Sequence, residues 1–172
     1  MTITMAETTA LLIAALACAT DIRSSRIPNA LTFGAIIAGI LFHSLAPSGN
    51  GVAAAGLGLL AGLLVFFPFF ALGGMGAGDV KLMAALGTWV GWLPAIYLAL
   101  YGSIAGGVLA VVFALSRGYL STALRNIGGM FRYWSVVGIK PVPELTLDSG
   151  TGPRLPYALP IMVGLVVMLW QN

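Results

Sequence analysis

Apolar runs separated by short polar or glycine–proline breaks dominate the chain, and no period-2 alternation of the kind that marks a half-buried strand stands out. Six runs can be read between the breaks, at about residues 3–20, 30–46, 52–72, 79–92, 95–115 and 155–170. Pro47-Ser48-Gly49-Asn50-Gly51 closes the second, and the fourth ends ahead of Pro94. A bilayer crossing takes about 20 predominantly apolar residues. The pattern therefore predicts an all-α polytopic membrane protein, a single domain over residues 1–172 with six transmembrane helices.

Residues 117–140 follow a different rule. Leu120, Ala123, Leu124, Ile127, Met130, Phe131, Trp134 and Val137 recur at helical spacing, with Arg125, Arg132 and Lys140 on the other face. That is the pattern of an amphipathic helix lying in a membrane interface, its basic face suited to anionic lipid. Gly128-Gly129 could bend it. A proline-rich linker, 141–153, follows and carries Glu144 and Asp148.

Composition sharpens the class. Of 172 residues 59% are hydrophobic and 8% charged, against about 25% charged in a soluble domain. A water-facing surface cannot be built from so few charges, and the mean hydropathy of +1.01 is far too high for a disordered chain. The net charge of +3 reflects cytoplasmic loops rather than a nucleic-acid partner. Arg23 and Arg26 follow the first run, Lys81 opens the fourth, and Arg117, Arg125, Arg132, Lys140 and Arg154 separate the fifth from the sixth. With six spans all eight lie on one side, which the positive-inside rule makes cytoplasmic. Both termini then face outward. The lone Cys18 and lone His43 exclude an intrachain disulfide and the usual metal cages, so neither metal nor cofactor is expected.

Two of the five acidic residues do not fit a solvated loop. Asp21 lies at the cytoplasmic end of the first run, and Asp79 closes the glycine loop Gly73-Gly74-Met75-Gly76-Ala77-Gly78. Ionisable groups in membrane segments are costly and are candidates for function. Each also has a plain structural role available. Asp21 could pair with Arg23 or Arg26, and Asp79 could be the N-cap of the fourth helix. The predicted topology sets both at one depth on the cytoplasmic side. The glycine loop beside them suggests a water-accessible pocket, because irregular backbone at that depth must line a cavity or be buried in protein.

At these residues the sequence resembles the type IV prepilin peptidases, a branch of the GxGD membrane aspartic proteases. Gly76-Ala77-Gly78-Asp79 matches the motif that names the group, and Val80-Lys81-Leu82-Met83-Ala84-Ala85-Leu86-Gly87 is similar to its continuation. Asp21 with Arg26-Ile27-Pro28-Asn29 resembles the first-aspartate motif, and Leu155-Pro156-Tyr157-Ala158 the motif that opens the last helix. The resemblance implies an endopeptidase of the bacterial inner membrane that removes the basic leader of a prepilin at the cytoplasmic face, cutting just ahead of the substrate's hydrophobic helix. It implies Asp21 and Asp79 as the catalytic pair, with Arg26, Pro28, Asn29, Gly76, Gly78 and Lys81 supporting the site. It also implies the short branch that serves Flp-type tight-adherence pili, because the cysteine-paired segment that longer relatives associate with N-methylation has no counterpart here.

Two carboxylates sharing a proton can supply both the base and the acid that amide hydrolysis needs. Helix dipoles suggest Asp79, at a helix N-terminus, as the initial base and Asp21, at a helix C-terminus, as the acid. The competing readings are a proton-coupled membrane transporter and a structural subunit of a pilus or secretion machine.

Overall fold

A computed structural model describes residues 4–45, 51–142, 145–146 and 155–171. Seven α-helices form among them: α1 Met5–Ser24, α2 Asn29–Ser44, α3 Gly51–Ala71, α4 Ala77–Val90, α5 Trp92–Ser116, α6 Leu120–Val137 and α7 Ala158–Gln171. Each of the six apolar runs is a helix, and the amphipathic segment is α6. Glu144, Asp148 and Arg154 lie outside the described residues.

Several boundaries move from those expected. The first helix runs on to Ser24, so Asp21 lies within its last turn. The fourth ends at Val90 because Gly91 takes φ 87, and Trp92 already begins α5. Pro94 thus sits in the first turn of α5, where a missing N–H leaves no intrahelical bond unmade. The last helix starts at Ala158 rather than 155. Three helices, α1, α3 and α5, are long and apolar enough to cross a membrane, whereas α2 and α7 are shorter apolar helices of 16 and 14 residues.

Helix α1 opens on a capping box. Thr4 is the N-cap, its amide donates to Glu7 Oε2 at 2.7 Å, and the Glu7 amide donates to Thr4 Oγ1 at 3.3 Å. This accounts for Glu7. Beyond it, Ala10, Ile13, Ala14, Ala17, Cys18 and Asp21 form one buried stripe at helical spacing. Asp21 thus continues a face of small residues that packs against α4 and α7. At Ser25 the chain turns through the left-handed region, φ 50, and its amide closes the helix on the Asp21 carbonyl at 2.7 Å. Such a conformation costs a non-glycine residue about 1 kcal/mol, and it swings the chain into the loop that leads to α2.

The core is built around α4. It packs on α1, α2, α3 and α5 and also touches α7. Ten of its 14 residues are buried, from Asp79 and Val80 through Leu82 to Trp89. Helix α3 approaches it backbone to backbone, where Gly58 meets the Gly87 carbonyl and Gly62 meets the Met83 carbonyl. Small residues four apart permit this contact. On the other flank Trp89 Nε1 donates to the Ala35 carbonyl of α2 at 3.0 Å. Helices α5 and α7 meet the same way, with Gly102 against Gly164. The outward faces are apolar: Leu12 and Leu16 on α1, Leu57, Leu60 and Leu64 on α3, Leu100, Ile104 and Val108 on α5 are all exposed. An apolar surface of this extent is matched by lipid rather than water. Helix α6 has no buried residue, packs on α5, and runs unbroken through Gly128-Gly129.

Candidate active site

The turn after α1 and the N-terminus of α4 face each other across a cavity of about 580 Å³. Its walls contain Asp21, Arg26, Pro28, Asn29, Gly76, Gly78, Asp79 and Lys81, so every residue that sequence reasoning assigned to the site is brought together. Ser24, Ser25, Ile27 and Ala77 complete the lining. Both carboxylates are almost fully buried, Asp21 8% and Asp79 9% exposed. They are close enough to feel each other's charge.

Local structure explains the arrangement. Gly76, not Asp79, is the N-cap of α4, and Asp79 occupies the third position of the helix. Its carboxylate turns back toward the Gly76 backbone, and a Cβ on Gly76 would stand 3.1 Å from Asp79 Oδ2. Gly78 is needed for a second reason: a Cβ there would lie 3.3 Å from Cβ of Ile27. Ile27 is buried and holds the 25–28 loop against the glycine turn. Sequence reasoning did not single it out for a role of its own, although it lies inside the Arg26-Ile27-Pro28-Asn29 element and is that element's one branched aliphatic side chain. Pro28 is the N-cap of α2 and directs Asn29 into the first turn. Asn29 Oδ1 accepts a hydrogen bond from Lys81 Nζ at 2.9 Å, and the ammonium also stands over the Phe33 ring at 5.4 Å from its centroid.

Helix α7 reaches the same place. The Ala158 amide donates to Asp21 Oδ2 at 3.2 Å, in a buried bond that links residues far apart in the chain. The dipole argument that made Asp21 the acid is therefore overturned: although Asp21 lies at the C-terminus of α1, its carboxylate meets the N-terminus of α7. Both aspartates face helix N-termini, and the dipoles no longer separate their roles. Among the described residues no group of three His, Cys, Asp or Glu side chains comes together.

Paired buried carboxylates within a helical bundle that contains three span-length apolar helices define an integral membrane protein with the makings of an acid–base site. The sequence model of the type IV leader peptidase family matches residues 8–111, and the chain belongs to that family. The match takes in both aspartates and ends within α5, short of α7. Among curated proteins the chain is similar to the prepilin leader peptidase/N-methyltransferase of Aeromonas salmonicida, 33% identical over 109 residues, 58% of this chain and 36% of that protein. Proteins of the same name from Dickeya chrysanthemi and Klebsiella pneumoniae are 35% identical over 94 residues and 39% identical over 80. These cover 51% and 43% of this chain, and 33% and 35% of those proteins. The chain thus spans about a third of the length of these relatives. No solved structure matches it.

Proposed function

We propose that the protein is an aspartic endopeptidase that cleaves the basic leader from a prepilin, with Asp21 and Asp79 as the acid–base pair. The observation that carries this reading is the single cavity lined by both carboxylates and by all six residues expected to support them. Two carboxylates in one low-dielectric pocket cannot both ionise freely, so they share a proton. The deprotonated partner draws a proton from water as it attacks the scissile carbonyl, and the protonated partner delivers one to the leaving nitrogen. No metal or cofactor enters the scheme.

In the same proposal the six apolar helices are transmembrane, in the bacterial inner membrane, with the site at the cytoplasmic face and both termini outside. The substrate's hydrophobic helix lies beside the bundle while its leader remains in the cytoplasm. Helix α6 lies in the cytoplasmic interface, its Arg125 and Arg132 toward anionic lipid, because a basic helix would repel a basic leader. Prepilins of the Flp type are the proposed substrates, on the strength of the sequence resemblance. A transporter would need carboxylates placed along a transmembrane path, whereas these two share one cavity. A purified-protein assay on a prepilin tests the reading. The wild type should release the leader and Asp79→Asn should not, and cleavage by Asp79→Asn at the wild-type rate would reduce Asp79 to a helix-terminal acid and end the proposal.

A further inference from the structure

Tyr157 has no part in the scheme above, yet it adjoins the pair. It directly precedes Ala158, whose amide holds Asp21 Oδ2, and it stands within electrostatic reach of Asp79. Its ring sits in a slot on α5. A Cβ on Gly106 would lie 2.9 Å from the Tyr157 hydroxyl oxygen and 3.1 Å from Cε2, so only glycine leaves room for the ring. Ser103, one turn earlier on α5, sets its hydroxyl beside that of Tyr157. From α3 the fully buried Phe66 meets the ring edge to face at 6.1 Å. The ring is therefore held on three sides while the backbone beside it is fixed by prolines at 156 and 160.

We propose that Tyr157 is a positioning residue for the Asp21 carboxylate: seated between Gly106, Ser103 and Phe66, it locks the N-terminus of α7 so that the Ala158 amide stays on Asp21 Oδ2. The first amides of a helix have no intrahelical acceptor, so Asp21 is the partner that α7 provides for and the one that fixes its approach. A carboxylate so held has one orientation toward Asp79, and preorganisation of that kind is what an acid–base pair requires. The inference rests on the reading of Asp21 as one half of the pair.

The test combines turnover with amide hydrogen exchange. Tyr157→Ala and Gly106→Ala should lower kcat on a prepilin by about a hundredfold, the scale of a 1 Å misplacement, with KM little changed. In both, the Ala158 amide should exchange as fast as it does in Asp21→Ala, while the rest of α7 keeps its protection. Tyr157→Phe, which retains the ring, should restore both readouts. Tyr157→Leu keeps apolar bulk without filling the slot and carries the same expectation as Tyr157→Ala should that variant not insert. Retained protection of Ala158 in Tyr157→Ala, or loss of protection along the whole of α7, would overturn the proposal, the second result marking a merely structural side chain. If the wild type cleaved no prepilin, the proposed function would fall by itself, and exchange at Ala158 would still report whether Tyr157 holds the bond.

Discussion

Lys81 Nζ and Asn29 Oδ1 lie 2.9 Å apart, joining the first turn of α2 to the first turns of α4. The two residues flank opposite walls of the cavity, so this bond sets how far the first-aspartate loop stands from the glycine turn. Lys81→Ala should reduce cleavage roughly fivefold, about 1 kcal/mol, the net scale of one ordinary hydrogen bond, since this bond is exposed to solvent. Asn29→Ala should cost about as much, and the double variant should be no worse than either, because both remove the same contact. Additive losses in a steady-state assay would show that Lys81 acts elsewhere, through headgroups or the Phe33 ring.

The glycine pairing of α3 with α4 gives a stability prediction. A Cβ on Gly87 would run into the backbone carbonyl of Gly58, which has no side chain to move aside. Gly87→Ala should therefore lose about 1–3 kcal/mol by overpacking and lower the unfolding midpoint in detergent. Gly107→Ala on α5 meets nothing within 4 Å, and should hold or gain about 0.5 kcal/mol because alanine favours the helix. Equal midpoints for the two variants would mean that the close approach is not tight in the membrane.

Much of the site was legible before the fold. Asp21 and Asp79 stood apart as the two acids with no solvated loop to occupy, and the glycines at 76 and 78 announce a backbone that something must approach. What was not legible depended on contacts between distant segments. Nothing near Asp21 in the chain signals that Ala158 will donate to it, and that contact removed the expected asymmetry of the pair. Hydropathy reports apolarity, not what the apolar face touches, so it gave no sign that α4, with only 14 residues, is the helix enclosed by five neighbours. The boundary near Pro94 moved because proline is tolerated in a first helical turn and so marks a start as readily as a stop.

Orientation can be checked directly. A reporter fused at Ser25 should read cytoplasmic and one fused at Trp92 should read external, since all eight basic residues fall on one side when six helices span. An external signal at Ser25 would place the cavity on the wrong face for a cytoplasmic leader.

Cys18 lies one turn before Asp21 on the same buried stripe and is 6% exposed. Cys18→Ser should keep full cleavage activity, because the thiol packs among small residues and lies outside the cavity lining. Complete loss in a variant that still inserts would identify a nucleophile that the acid–base scheme omits.

The pair itself makes the sharpest prediction. Asp21→Asn and Asp79→Asn should each abolish leader cleavage while the protein remains inserted, since an amide keeps the shape of the carboxylate but neither takes up nor releases the shared proton. Asn at 21 can still accept from the Ala158 amide, so α7 should stay in place and the loss should be one of chemistry rather than of fold. The double variant should be little slower than either single one, because groups that act as a unit are strongly non-additive. Glu7→Gln offers the contrast: it sits in the capping box at the far end of α1, about 20 Å from Asp21 along the helix, and should cleave normally. If the double variant lost activity as the product of the two single losses, the aspartates would be acting independently, and a shared proton would no longer describe them.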